Sequence, residues 1–558
     1  MKLLSETCRE RLMDNKWVVS QSSRVGRQWL ESAAREGVPV LNARAATFRG
    51  IAVDALAGPE MAVRGVTMAT LDAAASLAGR AWSRARAARS AEYLAGVKPG
   101  LDFFMALRST IDSIRLAGLR PEDLERGGFE SPEKGAGIAA IMREYLSALI
   151  SERLLDYAGA LEIAIEVVNK EGGEAMRGGI LIIRSDAEFQ EMERRLLDAL
   201  PPEKIITLAI DEPLRGEARA SSPALSDLEM MRHIQVPSAA PPPVADGSVS
   251  FFRAAGRVNE VREVLRRCAS RGIPFDNVEI LHTNADAYVP LIFETSERFS
   301  ETGGDSSKGV RATFAEGIPT SYSRPGRALA GWLRWVSLDY PQSVLVGLVR
   351  DGLLKTGADI DGNINDSKLA DTLRSIPIGM GRDRYLRKID EAISAARAKI
   401  SRPIEADADE DNSSVEESIA KRNCAERRLV NLKAIRSLVS DLIEMSPSQG
   451  DGPSDALKKA GRFLKEAARS INELDNYSLE KLTSAVKSME KVAGVEDGEG
   501  IDAAEWLSAL PSATRVMGKA PLPGHLHVDS VYNGGHSGRS HTFIVGMDDA
   551  MFQGGAAQ

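Results

Sequence analysis

Two groups of short apolar runs, each run followed by a helical stretch, constrain this chain more than any single motif does. The first group begins with Trp17-Val18-Val19-Ser20, a strand that stops at Gln21-Ser22-Ser23. A helix over 24–35 follows, with Gly37 placed as its C-cap and Pro39 as a stop. Residues 38–46 read as a second strand, and Thr47 as the N-cap of a helix reaching Leu56. After a long gap come the apolar run 179–183, a helix capped by Ser185 or Asp186 that ends near Leu200-Pro201, and a strand over 205–210. The second group comprises a strand at 249–253 and a helix at 259–270 with Val261, Val264, Leu265 and Cys268 on one face. A strand at 278–281 and a helix at 286–299 complete its first part, and strands return at His527-Val528 and 542–546. Strand and helix alternating at this pace predict an α/β fold with parallel sheets.

The intervening stretches, 67–170 and 324–506, carry helical periodicity. Two polar loops, at 405–411 and 446–454, punctuate the second. The expected organisation is therefore a first α/β core from 1–66 and 171–235, interrupted by a helical insert at 67–170. A Pro-rich linker at 236–248 leads to a second core from 249–323 and 520–558, interrupted by a helical insert at 324–519. A length of 558 residues suits three or four domains, and 43% hydrophobic residues suffice to give each a core.

Charge and cysteine usage narrow the function classes. Lys+Arg number 71 against 79 Asp+Glu, a net charge of −8, which excludes a uniformly basic nucleic-acid coat but leaves room for a local basic groove. Three cysteines exclude a disulfide scaffold and suit a reducing compartment. No apolar run approaches the roughly 18 residues of a membrane span, and the opening MKLLSETCRERLMD has no signal-peptide apolar core. A cytoplasmic protein with no membrane partner is expected.

Most chemical motifs fail on spacing. The glycine-rich 303–309 contains Lys308, but its order is wrong for a phosphate loop and Asp305 would repel phosphate. The Asp359-x-Asp361-x-Asn363-x-Asn365 string lacks the Gly and Glu of a calcium loop, as does Asp407-x-Asp409-x-Asp411. Cys8, Cys268 and Cys424 have no C-x-x-C spacing, and no G-x-S-x-G elbow occurs. The sharpest metal candidate is His525-x-His527-x-Asp529, where alternation on a strand puts both imidazoles on one face, with His536 and His541 nearby. It resembles the H-x-H-x-D core of metallo-hydrolases, although Ser530 stands where a further His would follow.

The arginines suggest phosphate contact. Arg24, Arg27 and Gln28 open a helix directly after Ser20–Ser23, and Thr47, Phe48 and Arg49 end the next strand. Both loops would share the C-terminal edge of a parallel sheet, where open α/β folds place ligands. Solvated surface arginines are the alternative.

Taken in order, several stretches resemble the superfamily 1 helicase-like region of AddB-type helicase–nuclease B subunits, of the PD-(D/E)XK nuclease family. They are 17–27 (WVVSQSSRVGR), 42–56, 144–164 (EYLSALISERLLDYAGALEIA), 180–200, 256–288, 314–335 (FAEGIPTSYSRPGRALAGWLRW) and 534–552 (GGHSGRSHTFIVGMDDAMF). The resemblance implies two P-loop-helicase-like (RecA-like) cores. It also implies single-stranded DNA or DNA ends held by Ser20, Gln21, Arg24, Arg27, Thr47, Arg49, Gly534, Gly535, Ser537 and Arg539. Trp29 and Phe48 would stack on bases or pack in the core. The implied partner is an ATP-dependent helicase–nuclease A subunit. Active relatives begin with a phosphate loop, and the chain is expected to start after it. They also carry an arginine near the position of His282-Thr283, so a motor that does not hydrolyse ATP is expected. Relatives continue into a nuclease domain bringing Mg2+ and, in many, an iron–sulfur cluster. The chain is expected to stop short of it, with no cofactor and no catalytic residue of its own. The rival expectations are a metal-dependent hydrolase using His525, His527 and Asp529, and a helical protein-interaction scaffold.

Overall fold

The computed structural model describes residues 2–548 apart from 36, 95, 98–99, 128, 130, 186, 210–235, 237, 239–246, 302–310, 357–364, 402–411, 449–450, 494–501, 533 and 535–536. The expected linker therefore lies almost wholly outside the described residues. So do the glycine-rich 303–309, most of the calcium-like string and the acidic loop at 405–411.

The chain folds as a mixed α/β protein with parallel sheets and many helices. The first sheet has four parallel strands. Strand β1 (Asn15–Val19) lies between β2 (Ala43–Ala46) and β3 (Gly179–Arg184), and β4 (Ile205–Leu208) lies outside β3. Helix α1 (Ser23–Arg35) follows β1 as expected, and Gly37 takes the left-handed conformation beyond it. The second strand is shorter than the expected 38–46, because Pro39 has no N–H to give a ladder and Asn42 turns left-handed (φ 52°) immediately before it. Thr47 accepts from the Gly50 N–H as its pattern predicts.

The first helical stretch contains α2 (Leu71–Ala87), α3 (Leu101–Leu116) and α4 (Pro132–Ser151). Helix α5 (Tyr157–Glu171), most of which was expected to belong to that insert, instead packs on the first sheet. Its Leu161, Ala164 and Val168 share a core with Val19, Leu181 and Ile183. The helix after β3 starts at Glu191 rather than after Ser185, because Gln190 and Glu193 form a reciprocal capping box.

The second sheet is also four-stranded and parallel. Its strands are β5 (Val278–His282), β6 (Ala312–Phe314), β7 (Leu526–Ser530) and β8 (His541–Val545), in the order β8-β5-β7-β6. Helices α6 (Arg257–Ser270) and α7 (Ala285–Glu301) cover one face, where Val261, Val264, Leu265 and Cys268 meet Ile280 and Val528. The strand expected at 249–253 does not form, and Phe251 is 96% exposed.

Between β6 and β7 the chain builds the larger helical region, including α8 (Arg324–Ser337), α9 (Pro453–Glu466) and α10 (Glu473–Ala493). Trp332 of α8 stacks on Phe463 of α9 at 4.4 Å. The two helical regions share one apolar core, running from Leu77, Trp82 and Tyr145 to Trp332, Phe463 and Trp506. This joint core is the largest apolar cluster among the described residues, and each buried apolar Å² contributes about 25 cal/mol. Among the described residues no helix is long and apolar enough to cross a membrane.

Candidate functional site

Parallel strands end together, so the loops after β1, β2 and β3 converge on one edge of the first sheet. They enclose a cleft of about 1330 Å³ lined by Ser20, Gln21, Thr47, Arg49, Arg184 and Arg194, among others. Three arginines therefore face one cavity. The Arg49 guanidinium lies 4.6 Å from the centre of the Tyr157 ring, and that of Arg184 lies 5.1 Å from the Trp29 ring. Phe48 packs edge-on against Phe189 at 5.0 Å, so its ring is buried in the core rather than offered for stacking. Two acids also line the cleft. One of them, Glu193, is held by the Tyr157 hydroxyl (2.7 Å) and the Gln190 N–H (3.0 Å). A recess with cationic and aromatic walls suits an anionic ligand bearing planar rings.

The structure divides the ten expected DNA contacts. Gln21, Thr47 and Arg49 line the cleft; Ser20 does too, but its hydroxyl donates to the Ser22 carbonyl at 2.7 Å. Arg27 is exposed on α1 outside it. Arg24 points the other way and pairs with Asp529 of the second core at 2.9 Å, joining the two sheets. Arg539 donates to the carbonyls of Phe275, Asp276 and Leu522, so its guanidinium anchors a loop. Gly534 sits so close to Leu281 and the Ser530 carbonyl that a Cβ there would clash. Ser537 is buried, and Gly535 lies outside the described residues. Gly534 and Arg539 thus make close contacts within the second core.

The histidine motif is also rearranged. His527 and Asp529 do share a face of β7, both buried. His525 lies before the strand, with its Nδ1 against the Pro523 carbonyl at 2.8 Å, and is no part of the cluster. Its place is taken by Glu279 of β5, the register partner of His527. The donor atoms of Glu279, His527 and Asp529 lie within 4.8 Å of one another. Burial, aided by the charges of Arg539 and Arg24, pushes the His527 imidazole down to about 3. Burial likewise pushes Asp529 up to about 6, against the pull of Arg24. A neutral imidazole 4.0 Å from Asp529 is neither an ion pair nor a hydrogen bond.

Sequence reading missed Arg184, Arg194 and Glu279. Arg184 follows the same strand-end rule as Arg49. Glu279 carried its own signal, an acid inside the apolar run Val-Glu-Ile-Leu, since charge in a buried parallel strand requires a partner. No protein-family model matches the chain, and no curated protein matches its sequence.

Proposed function

We propose that this chain is a DNA-end-processing subunit, a non-hydrolysing helicase-like scaffold of the AddB type that holds single-stranded DNA in the cytoplasm. In this reading its two parallel-sheet cores are RecA-like. The motor is an ATP-dependent A subunit, with which this chain would work at DNA ends. The observation that carries the reading is the cleft at the C-terminal edge of the first sheet, where Arg49, Arg184 and Arg194 line a wall that also contains Trp29. Phosphates would meet the guanidinium groups, and the rings would tolerate any base, so binding would be indifferent to sequence. The Arg24–Asp529 pair supports a structural role for the turn after β1, which in a working motor would hold phosphate.

Fluorescence anisotropy with labelled oligo(dT) tests this. Neutralising three phosphates on a single strand gives a log–log salt slope of about −2, or roughly a 20-fold loss of affinity between about 50 and 200 mM salt. Combining Arg49→Glu with Arg194→Glu should remove about 1.4 from that slope. Absence of saturable binding, or binding that ignores both salt and these substitutions, refutes the proposal.

A further inference from the structure

A second site lies where the two cores meet. The face of the second sheet away from α6 and α7 carries a polar row in register: Thr313 on β6, His527 on β7 and Glu279 on β5. Asp529 stands two residues along β7 on the same face. All four side chains are at least 98% buried.

The hydrogen bonds around the row point its acceptors inward. Thr313 Oγ1 lies 3.3 Å from the Leu526 carbonyl, to which it donates, and 2.9 Å from His527 Nδ1. With its hydroxyl hydrogen so used, Thr313 accepts from Nδ1–H, which leaves Nε2 as a lone pair turned toward the acids. His527 Nε2 and Glu279 Oε1 are both buried with no hydrogen-bond partner. Asp529 accepts from the Ser530 N–H at 2.8 Å through Oδ1 and faces Arg24 through Oδ2. One imidazole lone pair and two carboxylates thus converge with no donor hydrogen among them, and Arg24 is the cation the other core supplies. An acceptor-only cluster at this depth carries a desolvation penalty unless a cation or proton meets it.

We propose that Glu279, His527 and Asp529 form a site for a first-row divalent transition-metal ion of the Zn2+, Mn2+ or Co2+ class, for which Arg24 is the competing cation. An imidazole in the set disfavours Mg2+ and Ca2+, which take oxygen alone. The Thr313 contact to Nδ1 is the outer partner that metal-binding histidines use to fix their tautomer. Bonds of about 2.0–2.2 Å require the donors to close to roughly 3.3 Å apart, within reach of carboxylate rotation. Two carboxylates balance a dipositive ion, so the ion replaces the guanidinium at Asp529. The proposal stands whether or not the chain binds DNA.

The test uses Co2+ as probe on the EDTA-treated full chain, following its visible d–d absorption, with Zn2+ competition for affinity. One equivalent should bind, Arg24→Gln should tighten binding on the order of tenfold, and Glu279→Gln or His527→Gln should abolish the bands in protein with unchanged circular dichroism. Bands that arise only in Arg24→Gln protein also support the site, with the arginine winning in the parent. Absence of bands from both, equal affinity in both, or bands that survive Glu279→Gln and His527→Gln overturns it. Arg24→Gln alters a partly exposed residue and keeps the test valid if the buried variants fail to fold.

Discussion

Replacing Asp156 should loosen the join between the first helical region and the first sheet. Its Oδ2 accepts from Arg115 Nε at 2.6 Å and its Oδ1 from Arg115 Nη2 at 3.0 Å, a two-pronged pair with side chains 5% and 11% exposed. The same Oδ1 accepts from the Gly159 N–H at 2.8 Å and so caps α5. Arg115 lies in the last turn of α3, so one carboxylate ties two helices. Breaking a buried pair from one side costs about 3–5 kcal/mol, because the remaining charge keeps its desolvation cost. The cap adds about 1 kcal/mol. Asp112, another acid near Arg115, is engaged by Arg108 at 3.0 Å and is not available to substitute. Asp156→Ala should therefore cost about 4–6 kcal/mol of local stability, and Asp156→Asn about 1 kcal/mol less, since the amide oxygen still caps. Adding Arg115→Met to Asp156→Asn should recover part of the loss by removing the stranded cation. Hydrogen exchange of peptides from α3 and α5 reads this directly in a protein too large for two-state unfolding. A cost below about 1 kcal/mol for Asp156→Asn, or a double variant as damaged as the sum of the singles, would refute the reasoning.

Two further outcomes follow from the fold. Burial holds the His282 imidazole below its ordinary 6.5, so its contribution to stability is present above that value and is lost as pH falls below it. The urea midpoint should drop more in the parent than in His282→Gln between about pH 7.5 and about pH 5.5, and equal drops would dismiss the role. At Gly326, next to the cap of α8, an added Cβ would meet the Thr320 carbonyl carbon at 2.6 Å and its oxygen closer still. Gly326→Ala should lower stability by about 1–3 kcal/mol, seen as a lower melting temperature, while Gly347→Ala, which meets nothing within 4 Å, should not.

Local chemistry made the elements legible, and distance in the chain hid the contacts. The run Trp17–Val19, the Thr47 cap and the apolar face of α6 are decided by neighbours within a few residues, and each forms as read. The strand at 249–253 failed because β-propensity acts through packing, and Phe251 is left exposed. Strand β6, at three residues, is too short for alternation to register. In the candidate sites the pattern placed the loops after the first two strands at one edge of the first sheet, but not the direction of Arg24, whose partner lies in another core. Similarly, the period of two placed His527 beside Asp529, whereas Glu279 arrives through inter-strand register, which no local pattern encodes.

The shared apolar core has a consequence for synthesis. Leu77, Trp82 and Tyr145 emerge from the ribosome long before Trp332 and Phe463, which finish their enclosure. At elongation rates of about 5–20 residues per second, the earlier helices wait roughly 15–65 seconds before Phe463 arrives, with part of their greasy surface uncovered. A premature stop codon between the two stretches would therefore leave a sticky product rather than a smaller folded one.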